Sequence, residues 1–178
     1  MTLDEQTAQK PRIAAIRADQ SQAVQALMEA FAQELKGRGH AVAGVAQTRV
    51  LDQNTGRKRI VLRDLASGQI FPISQDLGPG SVACNLDTGE LALACACVER
   101  AALQGADLIV LSKFAKQEAA RGGLSDAFRI AMLSGTPVIV SVSPDFLSEW
   151  EGFAGRLSQF VEPSLAALET WWSRMRAE

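Results

Sequence analysis

The chain contains one histidine, His40, in 178 residues, and this scarcity removes several chemistries at once. No histidine lies near a serine, and there is no Gly-x-Ser-x-Gly elbow, so a serine hydrolase is not encoded. Cysteine is nearly as sparse, with only Cys84, Cys95 and Cys97. A zinc site would need all three thiols from awkward positions. Cys95 and Cys97 are two apart on a predicted helix, point to different faces, and read as small apolar residues. An odd count without a secretory signal argues against a disulfide framework. The amino-terminal ten residues are polar, include Asp4 and Glu5, and lack the apolar stretch of a signal peptide. No apolar run approaches the length that crosses a bilayer. The formal net charge of −2 leaves no global basic field of the kind nucleic-acid binders use. The expectation is a cytoplasmic protein with neither a nucleic-acid nor a membrane partner.

What remains is an ordinary globular balance, 47% apolar and 21% charged, at a length that suits one domain. Residues 1–11 read as a disordered leader ending at Pro11, and residues 12–178 as a single α/β domain. Ile13 to Ile16 is a short apolar run, a buried first strand. Val24, Leu27, Met28, Phe31 and Leu35 then recur at helical spacing, with Asp19 or Ser21 as the cap and Gly37 and Gly39 as the stop. Ala41 to Ala46 forms a second strand. Strand, tight turn, helix and strand within about 35 residues make a βαβ unit of a parallel sheet. Lys58–Leu65 and Ile70–Ile73, separated by Ala66–Gln69, read as an inserted antiparallel hairpin. A helix follows from Gly89 to Gln104, then a buried strand at Asp107–Leu111, a helix at about Ser125–Ser134 and a strand at Pro137–Val142. A short helical piece, Asp145–Gly152, and a last helix, Pro163–Arg176, close the chain. The fold class is therefore three-layer α/β: a mostly parallel sheet with helices on both faces and an antiparallel hairpin inserted.

In open parallel sheets, ligands bind outside the carboxyl ends of the strands. Three segments fall there. In the first, Arg17 to Gln22, a phosphate-binding loop would need glycines and a lysine, and none occurs between Ile16 and Val24. The helix amino terminus near Asp19, Gln20 and Ser21 remains a weak anion site, aided by Arg17, with an ordinary capped helix as the alternative. In the second, the strand ends in Ser112–Lys113, where a hydrolase would place an acid to hold magnesium. The segment instead carries Lys113, Lys116, Glu118 and Arg121, a set suited to an oxyanion or phosphate. The alternative is a solvated loop with Glu118 paired to Lys116 or Arg121. In the third, Ser143 or Asp145 caps a helix. Cys84 lies in a loop near these candidates. His40 reads as a surface residue. Trp171 and Trp172 read as a helix docked on its own core, with an oligomer contact as the other option.

The stretch Lys113–Phe114–Ala115–Lys116–Gln117–Glu118–Ala119–Ala120–Arg121–Gly122–Gly123–Leu124 resembles a bacterial family of unknown function typically encoded beside molybdate-transporter genes. Ala26–Leu27 through Gly39, Val42–Gln47, Cys84–Asp87 and Gly135–Val138 add generic support, and together they span most of residues 12–155. That family is similar to a degenerate P-loop nucleoside-triphosphatase, and the resemblance implies that fold and a link to molybdate or molybdenum-cofactor metabolism. The catalytic P-loop does not carry over, because its glycines and lysine have no match here.

Three functional readings follow. The first is a non-hydrolytic binding protein for molybdate, tungstate or a nucleotide. Lys113, Lys116 and Arg121 supply charge, Glu118 orients them, backbone N–H groups from Asp19 to Ser21 complete the pocket, and Cys84, if close, is a further ligand or a thiol sensor. The second is a hydrolase or transferase acting on a nucleotide, with Glu118 or Asp19 as general base. The third is an interaction module, a homo-oligomer among its forms, that uses Trp171 and Trp172 against a partner.

Overall fold

The computed structural model describes residues 11–17, 22–74 and 86–177. Seven strands form one sheet in the order β4-β3-β2-β5-β6-β1-β7. These are β1 Ile13–Arg17, β2 Val42–Leu51, β3 Lys58–Asp64, β4 Ile70–Pro72, β5 Leu108–Phe114, β6 Val138–Val142 and β7 Ser158–Phe160. The pairs β2–β5, β5–β6, β6–β1 and β1–β7 are parallel, and β2–β3 and β3–β4 are antiparallel. Helices α1 Gln22–Gly37, α2 Thr88–Leu103, α3 Lys116–Ala119, α4 Ser125–Ser134, α5 Leu147–Ala154 and α6 Leu165–Arg176 connect or flank the strands.

Alternation along the strands sorts their side chains onto two faces, because successive residues of a strand point opposite ways. Ile13, Ala15, Ile109, Leu111, Val138 and Val140 face one core, which α2, α4 and α5 cover. Ala14, Ile16, Leu108, Val110 and Ile139 face the other, covered by α1 and α6. Strands buried on both faces appear in sequence as unbroken apolar runs, which is why β1, β5 and β6 are conspicuous. The first core contains an aromatic cluster in which Phe114 meets Trp150 at 5.0 Å and Phe128 at 5.9 Å. The second contains Trp171 and Trp172, at 0% and 3% exposure, so neither is free to serve as a partner contact.

Backbone contact between β2 and β5 depends on Gly44. Its φ is +116°, and a Cβ there would stand 2.0 Å from the Val110 carbonyl oxygen. Only glycine accepts that conformation and that approach. Asp64, buried at the end of β3, turns the hairpin by accepting from the Ala66 and Ser67 amides at 3.2 and 3.1 Å.

Three elements exceed the sequence expectation. β2 runs on past Ala46 to Leu51, its polar extension held by antiparallel pairing with β3. β5 runs on past Leu111 to Phe114, because Phe114 enters the aromatic cluster; Lys113 is thus a strand residue and not part of a solvated loop. β7 pairs with β1 from Ser158 to Phe160, a segment with no apolar pattern of its own. His40 is half-buried rather than on the surface, edge-on to Trp172 at 5.2 Å.

Candidate functional site

The chain leaves β1 through α1 toward β2, on one side of the sheet, and leaves β6 through α5 toward β7, on the other. Connections that diverge from neighbouring strands open a crevice at their carboxyl ends. The candidate site lies at this edge, as a cleft of about 240 Å³. Its described walls are Gln22, Gln25, Ala26 and Glu29 from α1, Gln47, Thr48 and Arg49 from β2, Lys113 from β5, and Ser141 and Ser143 at the end of β6.

The sequence of α1 makes this arrangement. Val24, Met28, Phe31 and Leu35 bury one stripe of the helix against the sheet. Gln22, Gln25, Ala26 and Glu29 fall at positions i, i+3, i+4 and i+7, so they form a second stripe, turned toward the cleft. On the floor, Ser141 and Ser143 are 1% and 8% exposed. Gln25 reaches down to them. Its amide nitrogen donates to Ser141 Oγ at 3.1 Å, and its carbonyl oxygen accepts from the hydroxyl of fully buried Ser112.

Two cations face this floor. Lys113 is half-buried, and Arg49 stands on the polar extension of β2. Burial pushes the Lys113 pKa down, and the nearby Arg49 charge pushes the same way against a smaller opposing pull from Glu118. Among the described residues neither Lys113 nor Arg49 forms an ion pair. Among the described walls, the carboxylate of Glu29 is held instead by Arg63 at 2.6 Å. Two cations on one cleft wall, neither ion-paired among the described residues, form a local positive field in a chain whose net charge is negative.

The residues singled out in the sequence are distributed more widely than the cleft. Lys113 lines it. Lys116 and Arg121 are exposed, on and just after α3, and are not among its described walls. Glu118 is buried, and its carboxylate accepts from the Ala115 amide at 3.1 Å and the Leu124 amide at 3.0 Å. It knits the segment after β5 together rather than orienting the neighbouring cations. Burial raises the Glu118 pKa, and the two backbone donors oppose that rise. Gly123 sits at φ +55°, where a Cβ would come within 2.3 Å of Glu118 Oε1. Arg17 is exposed at the end of β1, with its guanidinium 4.5 Å above the Phe160 ring. Asp19, Gln20, Ser21 and Cys84 lie outside the described residues.

Sequence reading missed Arg49 and Gln25 as cleft residues, and it placed the segment Ser141 to Phe146 at this edge but read it only as a helix cap. The available signal was the polar run Gln47–Thr48–Arg49 directly after an apolar strand, at the edge where ligands bind. A second, wider cavity of about 570 Å³ runs between α2 and α4, past Leu91, Cys95, Ile130 and Leu133. Of its charged groups, Asp126 and Arg129 pair with each other, and Glu99 also lines it. Among the described residues, no helix is long and apolar enough to cross a membrane.

The sheet order and the cleft at the crossing of connections define a P-loop nucleoside-triphosphatase-like fold. Two solved structures share it. One is the crystal structure of THEP1 from Aquifex aeolicus, with a TM-score of 0.64 and 13% identity over 92% of this chain and 96% of that one. The other is the solution structure of a human cancer-related nucleoside triphosphatase, with a TM-score of 0.61 and 15% identity over 93% and 96%. The chain belongs to the family described as Protein of unknown function (DUF2478), whose profile matches residues 13–171. A Bradyrhizobium diazoefficiens protein described as molybdenum import ATP-binding protein ModC 2 is 35% identical over 169 residues, covering 93% of this chain. The match takes in only 19% of that relative's length.

Proposed function

We propose that this protein is a cytoplasmic, non-hydrolytic binder of a small anion, an oxyanion or a phosphorylated small molecule, in the cleft at the carboxyl ends of β5 and β6. The observation that carries this reading is the pair Lys113 and Arg49, both on the cleft wall and without an ion pair among the described residues, beside buried serine hydroxyls. Half-buried Lys113 gains more from an anion than it would in water, and exposed Arg49 adds charge from the rim. The cleft volume falls below the roughly 300–1,000 Å³ of pockets that take drug-sized ligands, which favours a compact anion over a whole nucleotide. Molybdate and tungstate lead the candidates, because the 35% identical relative is described as a molybdenum import ATP-binding protein and the motif after β5 resembles a family encoded beside molybdate-transporter genes; the same description keeps a nucleotide among the ligands to be tested.

The hydrolase alternative has less support. Of its two proposed bases, Glu118 is committed to two backbone amides and buried away from the cleft walls, and Asp19 lies outside the described residues. The stretch before α1 contains neither the glycines nor the lysine of a phosphate-binding loop.

The test is thermal unfolding of purified protein with molybdate, tungstate, sulfate, phosphate, ADP and ATP, each with and without magnesium. An anion at a hundred times its dissociation constant stabilises by about 2.7 kcal/mol, a shift of several degrees. The expected result is a magnesium-independent shift that Lys113→Ala and Arg49→Ala each reduce. A wild-type protein indifferent to every anion, or shifts that survive both substitutions, would overturn the proposal.

A further inference from the structure

The hydrogen bonds under the cleft have a direction. The Ser112 hydroxyl donates to the carbonyl oxygen of Gln25, and the Gln25 amide donates to the Ser141 oxygen at 3.1 Å. Ser112 has thereby used its single proton, and Gln25 has used its only oxygen and one of its donors. Ser141 accepts and keeps its own proton. Among the described residues that proton meets no acceptor, although the residue is 1% exposed and its side chain lines the cleft. A buried hydroxyl that accepts but does not donate is only half satisfied, and its free donor marks a place where something else can supply the partner.

We propose that Ser141 is a ligand-binding hydroxyl, with its proton turned into the cleft by the one-way chain Ser112–Gln25–Ser141, and that the floor therefore receives an acceptor oxygen of a tetrahedral oxyanion. This rests on the anion reading given above and names the group that meets the anion at its deepest point. Lys113 and Arg49 supply charge from the sides, and Ser141 supplies a fixed direction. Gln25 is a positioning residue: its amide is taken up by two serines, and it acts on the ligand through Ser141. Selection follows from the same polarity. An oxyanion oxygen accepts from Ser141, whereas an ammonium or amide N–H placed there would meet a donor and two cations.

The experiment is calorimetric titration of the full chain with molybdate and with sulfate, comparing the wild type with Ser141→Ala, Gln25→Met and the double variant. A hydrogen bond to a charged group is strong enough that Ser141→Ala is expected to weaken both anions about tenfold or more. Gln25→Met keeps the volume and charge of the cleft and frees the Ser141 hydroxyl to rotate, so a smaller loss of roughly two- to fivefold is expected. The double variant should bind no more weakly than Ser141→Ala alone, a coupling that a merely structural role for Gln25 would not produce. Ser141→Cys, which preserves shape and weakens the donor, replaces Ser141→Ala if the latter does not fold.

Undiminished affinity in the folded Ser141 variant, with binding still lost on Lys113→Ala, would refute the serine and leave the anion site standing. Fully additive losses in the double variant would refute the directed chain. Failure of the wild type to bind either anion would remove both proposals together.

Discussion

The two ends of strand β5 carry charge in opposite ways. At the amino end, Asp107 accepts from the Ala41 amide at 2.8 Å and from Arg176 at 3.1 Å, and His40 approaches it at 3.7 Å. Each charge there has a partner, and the cluster ties α6 and the start of β2 to the sheet. At the carboxyl end, six residues further along the chain, Lys113 lies near a second cation. Composition does not separate these ends, since both are polar and both lie at the margin of a buried strand. Pairing separates them: at one end the charges satisfy one another, and at the other like charges gather beside buried hydroxyls, where the proposed anion would bind.

The largest expected effect breaks both ends at once. Gly44→Ala drives a methyl into the Val110 backbone, and neither strand can move away without losing its ladder. We expect a loss of about 4 kcal/mol or more, read as the shift in urea midpoint, with anion binding abolished in parallel. Retention of near-normal stability would mean that β2 and β5 do not approach as closely as described.

Glu118→Ala strands the amides of Ala115 and Leu124 behind the carboxyl end, and is expected to cost about 2 kcal/mol. The same residue has a pH signature. Burial raises its folded-state pKa, so the folded protein holds the proton more tightly than the unfolded chain. Its contribution to stability is therefore greatest at acid pH, and it falls as pH rises from the ordinary value of 4.5 through the raised folded value. Denaturant curves between about pH 4 and pH 7 should show Glu118→Gln losing less stability than the wild type over that interval. Parallel curves would contradict this.

A crossed pair of substitutions sharpens the contrast directly. Asp107→Ala should lower stability by about 1 kcal/mol and leave anion affinity alone. Lys113→Ala should change stability by no more than about 0.5 kcal/mol and remove anion binding. Equal effects of both on stability, or any effect of Asp107→Ala on affinity, would erase the distinction between the two ends. The smallest effect is titrational. Because the Lys113 pKa is lowered, anion affinity should begin to weaken on the alkaline side at a lower pH than an ordinary lysine value of 10.5 implies. Lys113→Arg should abolish that early decline.

Much of the frame was legible because its strands are buried on both faces. Ile13–Ile16, Leu108–Leu111 and Val138–Val142 announce themselves as apolar runs, and α1 by its 3.6-residue spacing. The site was harder to read because proximity in sequence differs from proximity in space. Lys113, Lys116 and Arg121 look like one cluster along the chain, yet only Lys113 reaches the cleft, because α3 carries the other two to the surface. Arg49 is more than sixty residues away from Lys113 in sequence and becomes its neighbour only through the parallel pairing of β2 with β5. That polar segment is strand-like only because β3 pairs with it, and β7 is a strand only because β1 lies beside it. Partner-imposed structure leaves no periodic trace in the segment on which it is imposed.

The place of β1 has a consequence for assembly in time. Its neighbours are β6 and β7, so Ile13–Arg17 finds no strand partner in the part of the chain made just after it. During synthesis from the amino terminus, this run, with Ala14, Ala15 and Ile16 wholly buried in the finished sheet, must wait until residues 138–160 have emerged. Long-range parallel pairing of this kind slows folding and leaves an apolar segment uncovered in the interval. The nascent chain thus carries this apolar run uncovered until its strand partners emerge, and a chaperone that holds extended apolar segments would find a target there.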